Sequence, residues 1–247
     1  MIDDATITKA VVLAAGRGTR MQSLTDDCPK PMLPLSGRPL LAHQIERLES
    51  AGVREVLVIT GYKAHVVEDY FREHPPAVAR LSYRLQEPRN GTGKAALLGR
   101  EFVGSHPFLL TFGDILVDPE TYRAMFRLFG PAEAVLAVNR VDDPYQGAAV
   151  YVADGRVTRI IEKPPKGTST TPWNNAGIYC VGPRIFDELA RVPLSPRGEY
   201  ELTDAIHQML AAGVNFASHE IEGFWRDVGR PEDLPQAEQY LQGKVSE

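Results

Sequence analysis

The chain is predicted to fold as an α/β protein in which helices cover both faces of a parallel sheet. Apolar segments of strand length alternate with segments of helical period through the first 140 residues. A chain of 247 residues, 43% hydrophobic and 24% charged, can bury a sizeable core without disulfide or metal staples. Gly16, Gln86 and Asp114 fall at or just past the ends of predicted strands, where sheets of this kind bind ligands.

The first half reads as strands at 10–15, 55–60, 81–86, 108–111 and 134–139. A helix at 39–51 carries Leu40, Leu41, Ile45 and Leu48 near 3.6-residue spacing and ends at Gly52. Further helices are expected at 63–74, 94–102 and 119–129, the last opening on Asp118-Pro119. In the second half, strands at 148–152 and 156–160 flank Asp154-Gly155, a strong hairpin signal. A strand at 177–181, helices at 184–191 and 203–212, and strands at 214–221 and 224–228 follow. The last helix, 231–241, starts with a proline and places Leu234, Ala237 and Leu241 on one face. No linker rich in Pro, Gly or Ser divides the chain, so residues 1–247 are expected to form one domain whose halves meet near residue 141.

Composition narrows the function classes. The net charge of −5 argues against a nucleic-acid partner. Cys28 and Cys180 have no metal spacing and read as free thiols of a reducing cytoplasm. The first nine residues, M-I-D-D-A-T-I-T-K, carry acids where a signal peptide carries bases. No apolar run approaches the roughly 18 residues of a membrane span. A cytoplasmic protein without a membrane partner is therefore expected. The six histidines do not cluster, and the sequence leaves open whether the chain forms a homo-oligomer.

Residues 9–39 read K-A-V-V-L-A-A-G-R-G-T-R-M-Q-S-L-T-D-D-C-P-K-P-M-L-P-L-S-G-R-P. An apolar strand breaks into a loop holding Gly16, Gly18 and Arg20, and Lys30 follows between two prolines. Backbone N–H groups of such a loop can surround phosphate oxygens, and Arg20 and Lys30 add the charge a polyphosphate needs. The expected ligand is a nucleoside triphosphate. The loop is not a Walker loop, because Gln22 stands where that motif has its lysine. Nor is it a dinucleotide fingerprint, because Met21 stands at the third glycine position.

As a whole this segment resembles the signature of the sugar-1-phosphate nucleotidyltransferases, L-A-A-G-x-G-T-R-M-x-x-x-T-x-x-x-P-K-P-M-L-P-x-x-x-x-P. The resemblance runs from Lys9 to about Tyr240, with the family's motifs in order. It implies a Rossmann-like nucleotidyltransferase fold with a mixed, mostly parallel central sheet, a nucleotide half at about 1–141 and a sugar half at about 142–247. The hexapeptide β-helix repeats that some relatives carry at the C-terminus are not seen. Nucleotide contacts are implied at Leu13, Ala14, Ala15, Gly16, Gly18 and Thr19, with Arg20 and Lys30 as catalytic residues.

Leu85-Gln86-Glu87-Pro88-Arg89-Asn90-Gly91-Thr92-Gly93 resembles the family's base-reading loop. Gln86 offers both an acceptor and a donor to the imide edge of uracil or thymine. Gly91 lacks a Cβ and so admits a base close to the backbone. Thr92 is either part of that loop or a cap of the helix from Lys94. The segment is most like members using UTP, then dTTP; adenylyltransferases can also carry glutamine here.

Gly113-Asp114 and Trp225-Arg226-Asp227-Val228-Gly229 resemble the family's two metal positions, so Asp114 and Asp227 are expected to meet and hold Mg²⁺. Glu162-Lys163-Pro164 resembles the motif in which the lysine holds the sugar phosphate and the glutamate accepts from sugar hydroxyls. Asn175, Gly177 and Gly147 are implied sugar contacts. Glu201, in Glu199-Tyr200-Glu201-Leu202-Thr203-Asp204, is another, although Thr203 and Asp204 read equally well as a helix start.

The implied reaction is NTP plus sugar 1-phosphate giving NDP-sugar plus pyrophosphate. Glucose and N-acetylglucosamine 1-phosphates are the leading acceptors, and the Gly-Thr-Gly of the base loop looks like the N-acetylglucosamine uridylyltransferases. The alternatives are a non-catalytic regulatory paralogue that binds a nucleotide or sugar nucleotide, a dinucleotide-dependent oxidoreductase, and an enzyme acting on phosphocholine. Retention of Arg20, Lys30, Asp114, Lys163 and Asp227 argues against the first, and Met21 against the second. The Glu162–Pro164 and Asn175–Gly177 segments argue against the third.

Overall fold

The computed structural model describes residues 7–243; most of the acidic N-terminal stretch, residues 1–6, lies outside the described residues. In chain order the strands and helices are β1 (Lys9–Leu13), β2 (Pro34–Leu35), β3 (Arg38–Pro39), α1 (Leu40–Ser50), β4 (Glu55–Thr60), α2 (Ala64–Glu73), β5 (Arg80–Leu85), α3 (Thr92–Leu97), α4 (Arg100–Val103), β6 (Phe108–Phe112), β7 (Ile115–Val117) and α5 (Pro119–Phe129). There follow β8 (Ala134–Arg140), β9 (Ala148–Ala153), β10 (Arg156–Glu162), β11 (Trp173–Val181), α6 (Ile185–Arg191), α7 (Leu202–Ala211), β12 (Phe216–Glu220), β13 (Trp225–Asp227) and α8 (Leu234–Leu241).

Nine strands form one sheet in the order β5-β4-β1-β6-β11-β8-β12-β10-β9. A further pairing, Asn174 against Ala149, brings β11 onto β9 and closes the last five strands into a small barrel. The expectation of a mostly parallel sheet needs correction. Four of the pairings are parallel and five antiparallel. The parallel block β5-β4-β1-β6 is made by helical crossovers. The rest is built from the β9–β10 hairpin and from β11, which runs against β6, β8 and β9. At the hairpin, Asp154 and Gly155 both take positive φ (50° and 72°), as a two-residue turn matched to strand twist requires.

Alternation along the inner strands explains the two layers of helices. Val11, Leu13, Leu57 and Ile59 pack on one face with residues of α3, α4, α6 and α7. Ala10, Val12, Val56 and Val58 pack on the other with residues of α1, α2 and α5. Helices cover both faces, as predicted. Among the described residues no helix is long and apolar enough to cross a membrane, and Cys28 and Cys180 are both free.

One short ribbon governs the site. β7 and β13 pair antiparallel, Asp227 opposite Ile115. Leu116 and Val228, both fully buried, pack with Leu35, Leu40 and Ala237 of α8. Each such burial is worth about 1.5–3 kcal/mol, so the ribbon is anchored from below.

Candidate active site

The carboxyl end of β1 is held by neighbouring strands: Ala14 N donates to Ile59 O (2.9 Å) and Gly113 N to Leu13 O (2.8 Å). The chain then turns at Gly18, whose φ is 74°. A Cβ there would lie 2.7 Å from Cβ of Lys30, closer than real contacts allow. Gly18 is therefore the residue that lets Lys30 fold back against the loop.

Lys30 is 6% exposed. Its ammonium is hydrogen-bonded to Asp114 Oδ2 and reaches Asp227 Oδ1 at 3.3 Å. The ribbon sets that geometry: besides the β7–β13 pairing, Val228 N donates to Asp114 O at 2.9 Å. The expected meeting of the two aspartates is thus present. Burial alone would lower the Lys30 pKa, but the two carboxylates outweigh it and the net shift is upward. Burial and the like charge of Asp114 hold the Asp227 carboxyl above its ordinary range, against the pull of Lys30 and Arg20.

Among the described residues no group of three or more His, Cys, Asp or Glu side chains converges on one point. The donor set on offer is a pair of carboxylates. It fits Mg²⁺, which is held by one or two carboxylates and completes its shell with water and substrate phosphates. It does not fit the nitrogen and sulfur preference of zinc.

Two cavities adjoin at this point. One, of about 310 Å³, contains Leu13 to Gly16, Gly18, Lys30, Gln86 and Gly91 on its wall. The other, of about 450 Å³, contains Gly147, Glu162, Lys163, Asn175, Gly177 and Glu201. Asp227 lines the second, while Arg20, Thr92 and Asp114 line both. Of the site residues read from sequence, only Thr19 lines neither cavity; it is exposed on a short 3-10 turn at Thr19–Thr25.

Gln86 and Gly91 are held by contacts within the protein. Gln86 is 5% exposed and its Nε2 donates to Gly91 O at 2.9 Å. Gly91 takes φ 123°, and a Cβ on it would lie 2.3 Å from Tyr200 O. The glycine is thus required by the neighbouring 199–202 segment. Tyr200 N donates to Asn90 O (2.9 Å), Gly93 N to Tyr200 O (2.8 Å) and Leu202 N to Thr92 Oγ1 (3.0 Å). Thr92 caps α7 across the cleft rather than the helix it begins.

In the second cavity Glu162 accepts from Thr203 Oγ1 and Arg197 Nη1, both at 3.1 Å. Glu201, 4% exposed, receives the same Arg197 Nη1 at 3.2 Å and Ser195 Oγ at 3.3 Å. Burial and the Glu201 charge raise the Glu162 pKa, and Thr203 and Arg197 restrain the rise. Burial raises that of Glu201, with Arg197 again opposing. Thr203 therefore supports Glu162 instead of capping its helix. Lys163 sits at φ 39° with its N–H on Gly147 O (2.8 Å). Asn175 donates to Tyr179 Oη (2.6 Å) and accepts from Gly177 N (3.1 Å), while its neighbour Asn174 is the more buried of the two.

Sequence reading missed Arg197 as a member of this site. The signal available was a lone arginine before Gly198, two residues from a glutamate-rich motif. Arg89 is also on the wall of the first cavity.

The nucleotidyl transferase family model matches residues 9–244. The chain is 33% identical to the bifunctional protein GlmU of Methanococcus maripaludis strain C5 over 237 residues, covering 96% of this chain and 55% of that one. It therefore spans about half the length of such curated relatives. It is 32% identical over 243 residues to the UTP–glucose-1-phosphate uridylyltransferase AglF of Haloferax volcanii, covering 97% and 98% of the two chains. A crystal structure of UDP-glucose pyrophosphorylase complexed with UDP-glucose superposes with a TM-score of 0.87 at 23% identity, over 97% of this chain and all of the other. Matched along nearly its whole described length, the chain belongs to the nucleotidyl transferase family.

Proposed function

We propose that this chain transfers a nucleotidyl group from UTP, or next dTTP, to a sugar 1-phosphate, releasing pyrophosphate. The observation that carries the reading is the seam at Arg20 and Asp114 between the two cavities. In such a reaction the α-phosphate and the attacking phosphate must meet at one place, lined by positive charge and a cation-binding carboxylate. The name of AglF, a UTP–glucose-1-phosphate uridylyltransferase, supports the substrate class.

The attacking phosphate is already an anion at neutral pH, so no general base is required. The task is to align two anions and stabilise charge as the leaving group departs. The loop from Ala15 to Gly18 surrounds the triphosphate, Arg20 faces the leaving pyrophosphate, Lys30 the α-phosphate and Lys163 the sugar phosphate. Asp114 and Asp227 would hold Mg²⁺, which would screen the repulsion between the two substrates. Glu162, Asn175 and Glu201 accept and donate at sugar hydroxyls, with the backbone of Gly147 and Gly177 beside them. With Gln86 Nε2 engaged by Gly91 O, Oε1 is left as an acceptor. That favours the N3–H of uracil or thymine over cytosine, which has a bare ring nitrogen there.

Phosphorus NMR of a UTP and sugar 1-phosphate mixture tests the proposal. A new diester pyrophosphate resonance that needs the protein supports it. Its absence with every sugar phosphate, alongside measurable UTP binding, favours the regulatory-paralogue reading.

A further inference from the structure

Lys30 is a buried cation already placed between the two carboxylates that would receive the metal. It contacts both Asp114 and Asp227 and is 6% exposed. Its stem is fixed against Gly18, where a Cβ would lie 2.7, 3.2 and 3.3 Å from Cβ, Cγ and Cδ of the lysine. Rotation about the outer bonds of the flexible lysine stem would re-aim the ammonium. Lys30 and Asp114 both line the nucleotide cavity, whereas Asp227 lines the neighbouring one. The ammonium therefore has two sets of acceptors within one cleft: the carboxylates in the structure described here, and phosphate oxygens when a triphosphate fills the first cavity.

We infer that Lys30 is an internal plug of the metal site, so that a divalent cation is admitted only when a polyphosphate draws the ammonium off Asp114 and Asp227. This rests on the reading of the two aspartates as the Mg²⁺ ligands. A divalent ion brought to the pair while Lys30 holds it meets a like charge at contact distance in a partly dry site, where repulsion is weakly screened. A triphosphate reverses the balance. It supplies oxygens to the ammonium and leaves two carboxylates without a counter-ion, and its own charge attracts the metal. Nucleotide and metal binding are then positively coupled, and the coupling is reciprocal. The same contact keeps the aspartates from repelling each other when the cleft is empty.

Manganese binding, read by electron paramagnetic resonance on the nucleotide-free chain, tests the plug. Wild type is expected to bind Mn²⁺ at least about tenfold more weakly than Lys30→Gln, because one positive charge leaves the ligand shell. The gain is expected to vanish in Lys30→Gln/Asp114→Asn. Melting of wild type alone supplies a second reading, independent of whether Lys30→Gln folds. Mg²⁺ is expected to raise the melting temperature of the UTP-saturated protein and to leave the nucleotide-free protein unchanged. Equal Mn²⁺ affinity in wild type and Lys30→Gln, or stabilisation by Mg²⁺ without UTP, would overturn the plug and leave the metal site standing. Mn²⁺ binding to the UTP complex that ignores Asp114→Asn would remove the metal reading itself, and the plug with it.

Discussion

Thr92 Oγ1 accepts the backbone N–H of Leu202 at 3.0 Å. A residue entering α3 therefore closes the first turn of α7, 110 positions away. With the Asn90–Tyr200 and Tyr200–Gly93 hydrogen bonds, it binds the 86–93 loop to the segment carrying Glu199 and Glu201. Thr92 and Glu199 line both cavities, so this seam is wall to each of them.

Thr92→Val keeps shape but removes the acceptor. The expected cost is about 1 kcal/mol of stability, the typical worth of a helix cap, with a higher KM for both substrates. Thr92→Ser should restore both. Thermal melting and initial rates of the three proteins check this.

Gly91→Ala asks an alanine to adopt φ 123° and to overlap Tyr200 O. A loss of at least about 1–3 kcal/mol is expected from the backbone strain alone, together with detachment of the base loop. Gly104→Ala is the fitting control, since its φ is also positive but a Cβ there meets nothing. It should cost less and leave UTP affinity unchanged.

Lys30→Ala removes the charge proposed to face the transferring phosphate. Turnover should fall by at least about 10²-fold, the scale of one charge-stabilising contact. Near-normal kcat in a folded Lys30→Ala protein would sink that role.

Glu162 has its pKa raised by burial and by Glu201. Because a protonated Glu162 loses acceptor capacity, kcat/KM for the sugar phosphate should fall on an acidic limb lying above the ordinary carboxylate value of 4.5. Arg197 restrains the rise, so Arg197→Gln should move that limb to higher pH while UTP affinity changes little. The stability effect has the opposite sense to that of a stabilised carboxylate. A raised folded pKa means that stability is lost as pH climbs from the unfolded value through the folded one. Glu162→Gln should flatten that part of the stability profile. A pH series of rates and melts measures both.

The side chains of this site were legible in the sequence through the family's motifs, and a few positions through local backbone demands. Gly18 and the Pro29-Lys30-Pro31 run are needed by the turn that returns Lys30 to the loop, and Asp154-Gly155 by a two-residue hairpin. α5 begins where Asp118-Pro119 said it would, with Asp118 Oδ1 accepting from Glu120 N at 3.0 Å. What escaped depends on pairings between distant segments. β7 is three residues long and, among the described residues, pairs only with β13. The helix read at 94–102 is broken into α3 and α4 around Gly99, where a Cβ would lie 3.0 Å from Val11 Cγ2. Arg197 lies in a loop with no periodicity to mark it, and its importance comes from Glu162, 35 positions away. The excess of antiparallel pairing likewise follows from where β11 inserts, which no local pattern states.

The most direct test is pyrophosphate release with Mg²⁺, crossing five nucleoside triphosphates with a panel of sugar 1-phosphates, wild type beside Asp114→Asn. Release is expected to require both substrates, to be greatest with UTP or dTTP, and to be lost in the variant. Release without a sugar phosphate, or release untouched by Asp114→Asn, would contradict it.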